Sequence, residues 1–431
     1  MKYFSLNKQS PIVNFKEATI LGQAPDKGLY FPERIPIHAP DFIDQLKNLT
    51  KEDIAFSVME PFVGDSIPAE ELFRIVSETV NFPFPLKSIH ENIASLELYH
   101  GPTLAFKDVG ARFMSRCLSY FSKNQSNKIT ILVATSGDTG GAVANGFLGV
   151  EGVDVVILYP SGKVSPVQEL QLTTCGENIT ALEIDGSFDD CQAMVKAAFA
   201  DKDINAKMQL SSANSINVAR WLSQQIYYFI AYQQWEEATA PVIAVPSGNF
   251  GNLCAGIMAF KTGLPVQHFI AACNVNDAVP DYLQTGNFKT KPTTPTISNA
   301  MDVGNPSNFV RILELMNKDY ISFSSLVSGY TISDDTTIQT ICEVHQQYDY
   351  LLDPHGAVAY AALKQYQQTH ANSKGYILET AHPVKFPDAI KTAIGSEPII
   401  PLVAMELFAK EKRSIQLKNE YASFKEYLLS R

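Results

Sequence analysis

The chain has 431 residues, of which 45% are hydrophobic and 18% are charged. Such a chain is long enough for two or three domains and apolar enough for a sizeable core, which excludes a disordered protein. Its formal net charge of −11 argues against a nucleic-acid or anionic-membrane partner. An anionic small molecule is still compatible with this charge, because phosphate pockets use local amides and a few cations.

The six cysteines lie in apolar segments and show no Cys-x-x-Cys spacing, so we predict reduced core residues and no zinc site. His355 and His382 also lack the spacing of a metal-ligand pair. The opening residues MKYFSLNKQSP contain no apolar stretch, and no run approaches the roughly 18 apolar residues of a membrane helix. We therefore predict a cytoplasmic protein with no metal and no membrane partner.

Residues 1–80 are predicted to form a mixed N-terminal segment. Two stretches in it, 51–63 and 69–80, have the apolar pattern of helices. No residue pattern in this segment indicates a chemistry.

Lys107 lies in the stretch YHGPTLAFKDVGAR (99–112), where a Gly-Pro-Thr turn precedes a helical pattern. At a helix N-terminus the backbone N–H groups and the macrodipole oppose a positive charge, and burial beside Phe106 favours a neutral amine as well. A neutral lysine attacks an aldehyde and forms a Schiff base. The commoner alternative is a solvated lysine in a first helical turn.

Strand and helix patterns alternate from residue 128 onwards. The strands are predicted at 129–135, 153–160, 179–184, 242–246 and 268–273. The helices between and after them are predicted at 139–148, 166–175, 188–200, 216–236 and 253–261. This alternation indicates parallel α/β units with right-handed crossovers, and ligands of such sheets bind at the carboxyl ends of the strands.

The first strand end continues into a loop rich in hydroxyl and amide groups. It consists of Thr135, Ser136, Gly137, Asp138, Thr139 and Gly140. The string GDTGG differs from the GDSGG of serine proteases at the nucleophile and lies in an α/β pattern, and Ala134 excludes a nucleophile elbow at Ser136. We predict an anion-binding loop.

The polar stretch SSANSINVAR precedes a long helical pattern. Ser212, Asn214, Ser215 and Asn217 are candidate donors to a phosphate, with the Arg220 guanidinium as a bidentate partner. An equally good interpretation is N-capping of the helix by Asn214 or Ser215, with Arg220 in solvent.

A second glycine turn follows the strand at 242–246. It consists of Ser247, Gly248, Asn249, Phe250, Gly251 and Asn252. Its two glycines allow consecutive amides to converge on an anion at a helix N-terminus. It has neither the GK[ST] of a P-loop nor the GxGxxG of dinucleotide sites. We predict a phosphate-binding turn, and the alternative is an ordinary strand-to-helix turn.

Later in the chain, DPHGAVAYAAL (353–363) begins a helix, and GYILETAHPVKFPDAI (375–390) is a strand that turns into another helix. Thr380 falls at the carboxyl end of that strand, where a hydroxyl can meet a ring nitrogen. Two anion-binding turns and one reactive amine indicate a small doubly anionic ligand, or a phosphorylated cofactor together with an anionic substrate.

Eight stretches taken together resemble the threonine synthases, a family of fold-type-II pyridoxal-phosphate enzymes. They are HGPTLAFKD, TSGDTGG, SSANSINVAR, VPSGNFGN, NVNDAVP, SNAMDVGNPSN, DPHGAVAYAAL and ETAHPVKF, and GLYFPE near the start is similar too. The matches run in family order from about residue 28 to about residue 390. Related β-replacing and dehydratase enzymes share the lysine and the glycine loop, so the combination carries the resemblance.

The resemblance implies a role for each matching residue. Lys107 would be the catalytic lysine that forms the Schiff base with pyridoxal 5'-phosphate, and Gly248 to Asn252 would hold the cofactor phosphate. Thr380 would face the pyridine nitrogen. The loop 135–139 would receive the substrate, and Asn214, Ser215 and Arg220 would grip the substrate phosphate. The role of Asp138 within this loop is not implied.

The resemblance also implies a reaction. O-phospho-L-homoserine and water would give L-threonine and phosphate through γ-elimination and β-hydration, with Lys107 as the base that transfers the protons. One alternative is another fold-type-II enzyme, such as a threonine dehydratase or a β-replacing synthase. A remote alternative is a non-catalytic protein that binds a cofactor or metabolite. A monomer and a homo-oligomer are equally open.

The predicted architecture is α/β, with two open parallel-type α/β domains of the fold-type-II (tryptophan synthase β-like) arrangement and an N-terminal α+β segment. The N-terminal segment comprises 1–80. The large cofactor-binding domain comprises 81–120 and 237–431, and the small domain, 121–236, is inserted between its halves. We expect the small domain to close over the substrate and exclude water.

Overall fold

The computed structural model of the protein describes residues 1–123 and 128–431. Its strands are β1 (Lys2–Ser5), β2 (Val13–Asn14), β3 (Tyr30–Pro32), β4 (Leu86–His90), β5 (Ile93–Glu97), β6 (Ile129–Ala134), β7 (Val153–Pro160), β8 (Ile179–Asp185), β9 (Gln209–Ser212), β10 (Val242–Pro246), β11 (His268–Cys273), β12 (Val327–Thr331), β13 (Gly375–Glu379) and β14 (Ile415–Lys418).

The α-helices are α1 (Phe15–Leu21), α2 (Pro40–Gln45), α3 (Lys51–Val63), α4 (Ala69–Thr79), α5 (Lys107–Ser122), α6 (Asp138–Phe147), α7 (Pro166–Thr173), α8 (Phe188–Ala200), α9 (Lys202–Lys207), α10 (Val218–Leu222), α11 (Gln225–Gln233), α12 (Gly251–Lys261), α13 (Ala278–Thr285), α14 (Phe309–Leu315), α15 (Tyr320–Leu326), α16 (Asp334–Tyr348), α17 (Pro354–Thr369), α18 (Pro387–Ile394), α19 (Leu402–Phe408) and α20 (Tyr421–Ser430). Short 3₁₀ segments occupy Leu46–Asn48, Gly64–Ser66, Asn299–Met301 and Pro383–Lys385.

The described residues pack as two compact units. Unit 1 comprises Met1–Phe31, Lys107–Arg220 and Ile400–Arg431, and unit 2 comprises Pro32–Phe106 and Trp221–Ile399. These limits differ from the predicted domains, because unit 1 also takes in both ends of the chain. The predicted domain boundaries stay a prediction.

Unit 1 contains a five-stranded parallel sheet with the order β14-β8-β7-β6-β9. Its three central strands are rich in isoleucine and valine and are almost wholly buried, as a parallel sheet covered by helices requires. The apolar face of this sheet packs against α8 and α20. All three central strands were predicted, whereas the short edge strands β9 and β14, with half-exposed side chains, were not.

The N-terminal residues of unit 1 pack against the polar segment that follows β9. Helix α1 begins with a capping box formed by Asn14 and Glu17. Asn217 Nδ2 donates a hydrogen bond to Thr19 O at 2.9 Å. Because β6 and β9 are parallel neighbours with Leu132 beside Ser212, the loops after both strands leave the same edge of the sheet.

Unit 2 contains a six-stranded sheet with the order β12-β11-β10-β13-β5-β4, parallel except for the antiparallel pair of β4 and β5. Helix α17 is rich in alanine, and most of its residues are buried in a core cluster of this unit. The parallel α/β pattern predicted from the sequence is confirmed in both sheets. The predicted helices α3 and α4 are confirmed as well.

The prediction of one continuous helix over 216–236 was wrong. The structure has α10 and α11 instead, separated at Ser223 and Gln224. Gln224 N donates to Trp221 O and Ile226 N donates to Ser223 O, both at 3.2 Å, so the chain forms i→i+3 turns there instead of the α-helical pattern. Ser223 and Gln224 are buried, so a polar break is embedded in an otherwise apolar run.

The six cysteines are free thiols, and four of them are buried, as predicted. Cys175 and Cys342 are instead partly exposed. Within the described ranges, no helix is long and apolar enough to cross a membrane. No group of three or more side chains able to hold a metal ion occurs in the same residues.

A buried carboxylate, Glu183, ties the C-terminal residues of unit 1 to its central strands. Its Oε2 accepts hydrogen bonds from Tyr159 Oη at 3.1 Å and Ser414 Oγ at 3.0 Å, and its Oε1 accepts one from Ser161 Oγ at 2.7 Å. Lys412 Nζ lies 2.9 Å from Oε2. Burial opposes ionisation, but the ammonium and the hydroxyl donors outweigh it and lower the pKa of Glu183 to about 2.

Glu183→Gln is expected to lower the free energy of unfolding at neutral pH by about 2 kcal/mol, because a hydrogen bond to a charged group contributes roughly 1.5–3 kcal/mol. The folded-state pKa of Glu183 lies below its unfolded value of about 4.3, so the native state binds fewer protons. The contribution is therefore present above the unfolded pKa and is lost as the pH falls through the folded pKa. Denaturant titrations of wild type and variant should converge between about pH 5 and pH 2.

Asp189→Asn is the matched control, because Asp189 is an exposed carboxylate in the first turn of α8. Its effect should be small, within about 0.5 kcal/mol. A gap between wild type and Glu183→Gln that stays constant down to the acid limit would contradict the ionic role of Glu183.

Candidate active site

The turn from Ser247 to Asn252 carries a row of amides at a helix N-terminus in unit 2. Ser247 N donates to Ala272 O, which closes the end of β10. Phe250 then adopts a left-handed φ of 61° immediately before α12. The N–H groups of Asn249, Phe250 and Gly251 donate no hydrogen bond to another residue that the structure describes. Such a row of amides, held by a strained residue, is the arrangement that binds phosphate.

Two tyrosines fix the orientation of the Asn252 side chain. Tyr227 Oη and Tyr228 Oη each donate to Asn252 Oδ1 at 2.7 Å. Burial raises the pKa of both phenols, so both remain donors. The amide nitrogen Nδ2 is buried and has no hydrogen-bond partner in the described part of the chain. Since a buried donor without an acceptor costs about 1–3 kcal/mol, this nitrogen fits an anion.

Thr380 leaves the same sheet edge as this turn, because β10 and β13 are parallel neighbours with Ala244 beside Ile377. The Thr380 side chain is buried, and its carbonyl accepts a hydrogen bond from Phe106 N at 2.9 Å. The residue after Phe106 in the chain is Lys107. The backbone that leads into Lys107 is thus attached to the backbone of Thr380.

The turn before Lys107 is fastened to the same edge at two further points. Ala105 and Ala381 form an antiparallel β-bridge. The buried Lys385 ammonium donates to Thr103 O at 2.8 Å. Lys385 was not predicted as a site residue, although it lies in ETAHPVKF, because a lysine close to a helix start gives no sequence signal of burial.

A buried acidic pair lies next to Thr380. Asp353 N donates to Glu379 Oε1, and the Asp353 carboxylate accepts hydrogen bonds from His355 Nδ1 at 2.7 Å and Ala381 N at 3.2 Å. Burial and the neighbouring Asp353 charge raise the pKa of Glu379 well above its usual value. Asp353 therefore fixes the peptide that follows Thr380, a role that the sequence did not reveal.

In unit 1, the half-buried Lys107 is the first residue of α5 and precedes the buried Asp108. Gly110, less than one turn further, packs against Arg220, since a Cβ on Gly110 would lie 2.7 Å from Arg220 O and 3.1 Å from Nε. Arg220 Nη1 donates to Ala213 O at 2.7 Å. Burial lowers the pKa of Arg220 to about 10, and the Asp108 charge acts in the opposite direction. Arg220 is therefore charged at neutral pH and buried, and the interpretation as a solvated arginine was wrong.

The loop after β6 is organised by Thr135, whose Oγ1 accepts hydrogen bonds from Gly137 N at 2.9 Å and Gly140 N at 2.8 Å. Helix α6 begins at Asp138, and the Asp138 carboxylate accepts a hydrogen bond from Gln168 Nε2 at 3.0 Å. A Cβ on Gly137 would lie 2.4 Å from the Gln168 side chain. Gln168 thus supports this loop from α7, and it was missed because nothing in its local sequence points to it.

Asn217 provides the side-chain cap of α10, since its Oδ1 accepts a hydrogen bond from Ala219 N at 3.0 Å. Asn217 was not among the residues predicted to cap this helix. The half-buried Asn214 and Ser215 lie in the turn before the helix, where Asn214 N donates to Ser212 Oγ at 3.3 Å.

Three family models match the chain. The pyridoxal-phosphate dependent enzyme model matches residues 87–378, the threonine synthase N terminus model matches 2–80, and the threonine synthase C-terminal model matches 356–428. Threonine synthase from Haemophilus influenzae is 42% identical over 431 residues, with 100% of both chains covered. Threonine synthase from Saccharomyces cerevisiae is 34% identical, with 91% of this chain and 89% of the relative covered.

The chain belongs to the threonine synthase family. The crystal structure of threonine synthase from Escherichia coli matches it with a TM-score of 0.93 at 41% identity, covering 100% of both chains. The pyridoxal-phosphate-bound threonine synthase from Brucella melitensis matches with a TM-score of 0.93 at 36% identity, covering 99% of this chain and 98% of that chain. The predicted family and the fold-type-II architecture are confirmed.

Membership of the pyridoxal-phosphate dependent enzymes confirms the predicted cofactor. The residues of unit 2 fit the phosphate of that group, because the buried Asn252 Nδ2 has no acceptor within the described residues and belongs to the same turn as the N–H groups of Asn249, Phe250 and Gly251. Among the predicted site residues, unit 2 contains 248–252 and Thr380, and unit 1 contains Lys107, the loop 135–139 and the segment 214–220.

Proposed function

We propose that the chain converts O-phospho-L-homoserine and water into L-threonine and phosphate. The observation that carries this proposal is the position of Arg220, a buried charged guanidinium packed against Gly110 on the helix that begins at Lys107. A phosphorylated substrate needs its own phosphate-binding group, separate from the amides that are proposed to bind the cofactor phosphate. The Arg220 guanidinium can be that group. A threonine dehydratase or a β-replacing synthase has no need of it.

When bound, pyridoxal phosphate supplies an aldehyde that couples to amines and a ring that accepts the electron pair left on a deprotonated carbon. Lys107 is the residue proposed to hold its aldehyde. The amides and the side chain of the 248–252 turn are proposed to bind its phosphate. The Thr380 hydroxyl is proposed to face the pyridine nitrogen, and a hydroxyl there leaves that nitrogen less firmly protonated than a carboxylate does.

Lys107 Nζ is proposed to carry the protons of the reaction, since one amine at a helix N-terminus is the most economical base. It would take the proton from Cα of the substrate and then one from Cβ before phosphate leaves Cγ. Water adds its hydroxyl at Cβ, and Nζ returns protons to the carbon skeleton. The atoms balance as one water consumed and one phosphate released for each threonine.

The substrate is proposed to bind to the two loops that leave the same edge of the unit 1 sheet. The loop 135–139 would hold the amino-acid end, with Thr135 and Gln168 keeping its shape. Asn214, Ser215 and Arg220 would bind the phosphate, which stabilises the leaving group and selects the substrate. A cytoplasmic location is inferred from the sequence and stays a prediction.

The decisive experiment incubates the purified holoenzyme with O-phospho-L-homoserine and follows phosphate release and L-threonine formation together. Equal amounts of both products are expected. Phosphate without threonine, or release of ammonia and a 2-oxo acid, would indicate elimination without hydration and would favour the dehydratase alternative. Neither product with a cofactor-loaded protein would favour the non-catalytic alternative.

Gly137→Ala is expected to lower kcat/KM for O-phospho-L-homoserine by roughly tenfold or more, since small displacements of a positioning loop have such effects. Gly137 has a φ of 137°, which L-residues avoid, and a Cβ there would lie 2.4 Å from the Gln168 side chain. Steady-state phosphate release measures the effect.

Gly162→Ala is the matched control, because Gly162 also has a positive φ, of 66°, but a Cβ added to it would have no neighbouring atom within 4 Å. The kcat/KM of this variant should not change. A normal kcat/KM for Gly137→Ala would contradict a binding role of this loop.

A further inference from the structure

Arg311 is a fully buried arginine in unit 2 that the proposed reaction does not use. It lies in α14, which packs against α12, and its guanidinium carbon is 4.4 Å from the ring centroid of Trp221. Its Nη1 donates a hydrogen bond to Asn308 Oδ1 at 2.7 Å. Burying a charge costs several kcal/mol before its interactions are counted, so a buried guanidinium calls for a role.

Asn308 passes this contact on to the turn at 248–252. Its backbone N and its Nδ2 both donate to Asn249 O, at 3.3 Å and 3.2 Å. Ser307 holds the side chain of the same residue, because its N and Oγ donate to Asn249 Oδ1 at 3.0 Å and 2.8 Å. Asn249 is therefore fixed by four hydrogen bonds, and Arg311 orients the amide that makes one of them.

The contacts to Asn249 O determine where the next amide points. The carbonyl of Asn249 and the N–H of Phe250 belong to one planar trans peptide, so they point in opposite directions. With the carbonyl turned towards Asn308, the Phe250 N–H points away from Asn308. Hydrogen bonds donated to a carbonyl also polarise the peptide and strengthen its N–H as a donor.

The charge of Arg311 reaches the first turn of α12. Burial raises the pKa of Cys254 to about 12, and the Arg311 guanidinium acts in the opposite direction. Cys254 N donates to Phe250 O, so this residue closes the first helical hydrogen bond after the turn. A positive charge that acts on the first turn adds to the positive end of the α12 dipole, which favours an anion there.

We propose that Arg311 and Asn308 are positioning residues that orient and polarise the 248–252 turn and make it select a phosphorylated cofactor over the same aldehyde without phosphate. The proposal depends on the assignment of this turn to the cofactor phosphate. Arg311 acts through Asn308 and the Asn249–Phe250 peptide and does not itself touch the phosphate.

The test titrates the apoprotein with pyridoxal phosphate and, separately, with pyridoxal, and follows the change in absorbance. The quantity of interest is the ratio of the two Kd values. Asn308→Asp keeps an acceptor for Arg311 but replaces the Nδ2 donor by an oxygen that faces Asn249 O. The preference for pyridoxal phosphate should fall by about tenfold or more, since a charge-assisted or buried polar contact has this weight. Arg311→Met should have a similar effect.

Arg74→Met is the matched control, because Arg74 is an exposed arginine of unit 2 that pairs with Glu71 and Glu78. Its Kd ratio should equal that of the wild type. A thermal melt of each apoprotein identifies a variant that does not fold, and Asn308→Asp, which keeps the partner of Arg311, carries the test if Arg311→Met fails to fold.

A variant with an unchanged Kd ratio would overturn the proposal. If its affinity for both aldehydes falls equally, the pair only supports the fold. A wild type that binds pyridoxal phosphate no better than pyridoxal would instead overturn the assignment of the turn. The two failures are thus distinguishable, because one concerns the variants and the other concerns the wild type.

Discussion

Replacing Lys107 by alanine is expected to abolish the turnover of O-phospho-L-homoserine. The change removes both the amine proposed to hold the cofactor and the base proposed to move the protons. General acid–base catalysis alone contributes about 10²- to 10⁴-fold, so the loss of both roles should exceed about 10⁴-fold in kcat. Coupled assays of phosphate release measure the rate, and the visible absorbance of the lysine-bound cofactor should disappear in the same sample.

Lys202→Ala is the control for Lys107→Ala, because Lys202 is an exposed lysine at the first position of α9 in the same unit. Its kcat and absorbance should match those of the wild type. Borohydride reduction of the wild-type holoenzyme followed by peptide mass analysis should place the pyridoxyl group on the peptide that contains Lys107. Turnover that survives in Lys107→Ala, or a label on another lysine, would refute the assignment.

Most central strands of the two sheets could be predicted because burial on two faces leaves a clear sequence signal. β7, β10 and β11 are largely apolar runs that end in turns, and their predicted limits agree with the structure. The central strand β5 was not predicted, although it is mostly buried as well. β4 lacks such a run because this edge strand keeps polar side chains in contact with solvent, and the four residues of β9 include only one apolar residue. The break between α10 and α11 was missed because Ser223 and Gln224 are polar residues that the tertiary structure buries.

The sequence suggested candidate site residues where a local turn follows a strand end, and their roles stay a prediction. The loop at 135–139 and the turn at 248–252 each combine glycines with a strand end, so spacing alone indicated an anion site. Gln168 supports Asp138 across 30 residues of sequence, and Lys385 reaches Thr103 across 282. Residues so far apart in the chain come into contact only through the tertiary fold, so no local sequence pattern predicts these contacts.

Replacing Arg220 by methionine is expected to lower kcat/KM for O-phospho-L-homoserine by about 10²- to 10³-fold, the usual effect of losing one preorganised donor. The pKa of Arg220 is lowered only to about 10, so the wild-type side chain is charged at neutral pH and attracts a phosphate dianion. Affinity for pyridoxal phosphate should not change, since the turn proposed for its phosphate is a separate segment. Inorganic phosphate should inhibit the wild type competitively and lose this effect in the variant.

Two further variants separate binding of the substrate phosphate from support of the fold. Arg220→Lys keeps the charge without the planar fork and should recover part of kcat/KM. Asp108→Asn combined with Arg220→Met removes the buried carboxylate that interacts with Arg220, and should recover stability without recovering kcat/KM. A double variant that regains activity would mean that Arg220 only neutralises Asp108. The dehydratase alternative is correct if the wild type deaminates L-threonine and turns over no O-phospho-L-homoserine. In that case Arg220→Met should leave the rate of deamination unchanged, because that reaction needs no cation for a second phosphate.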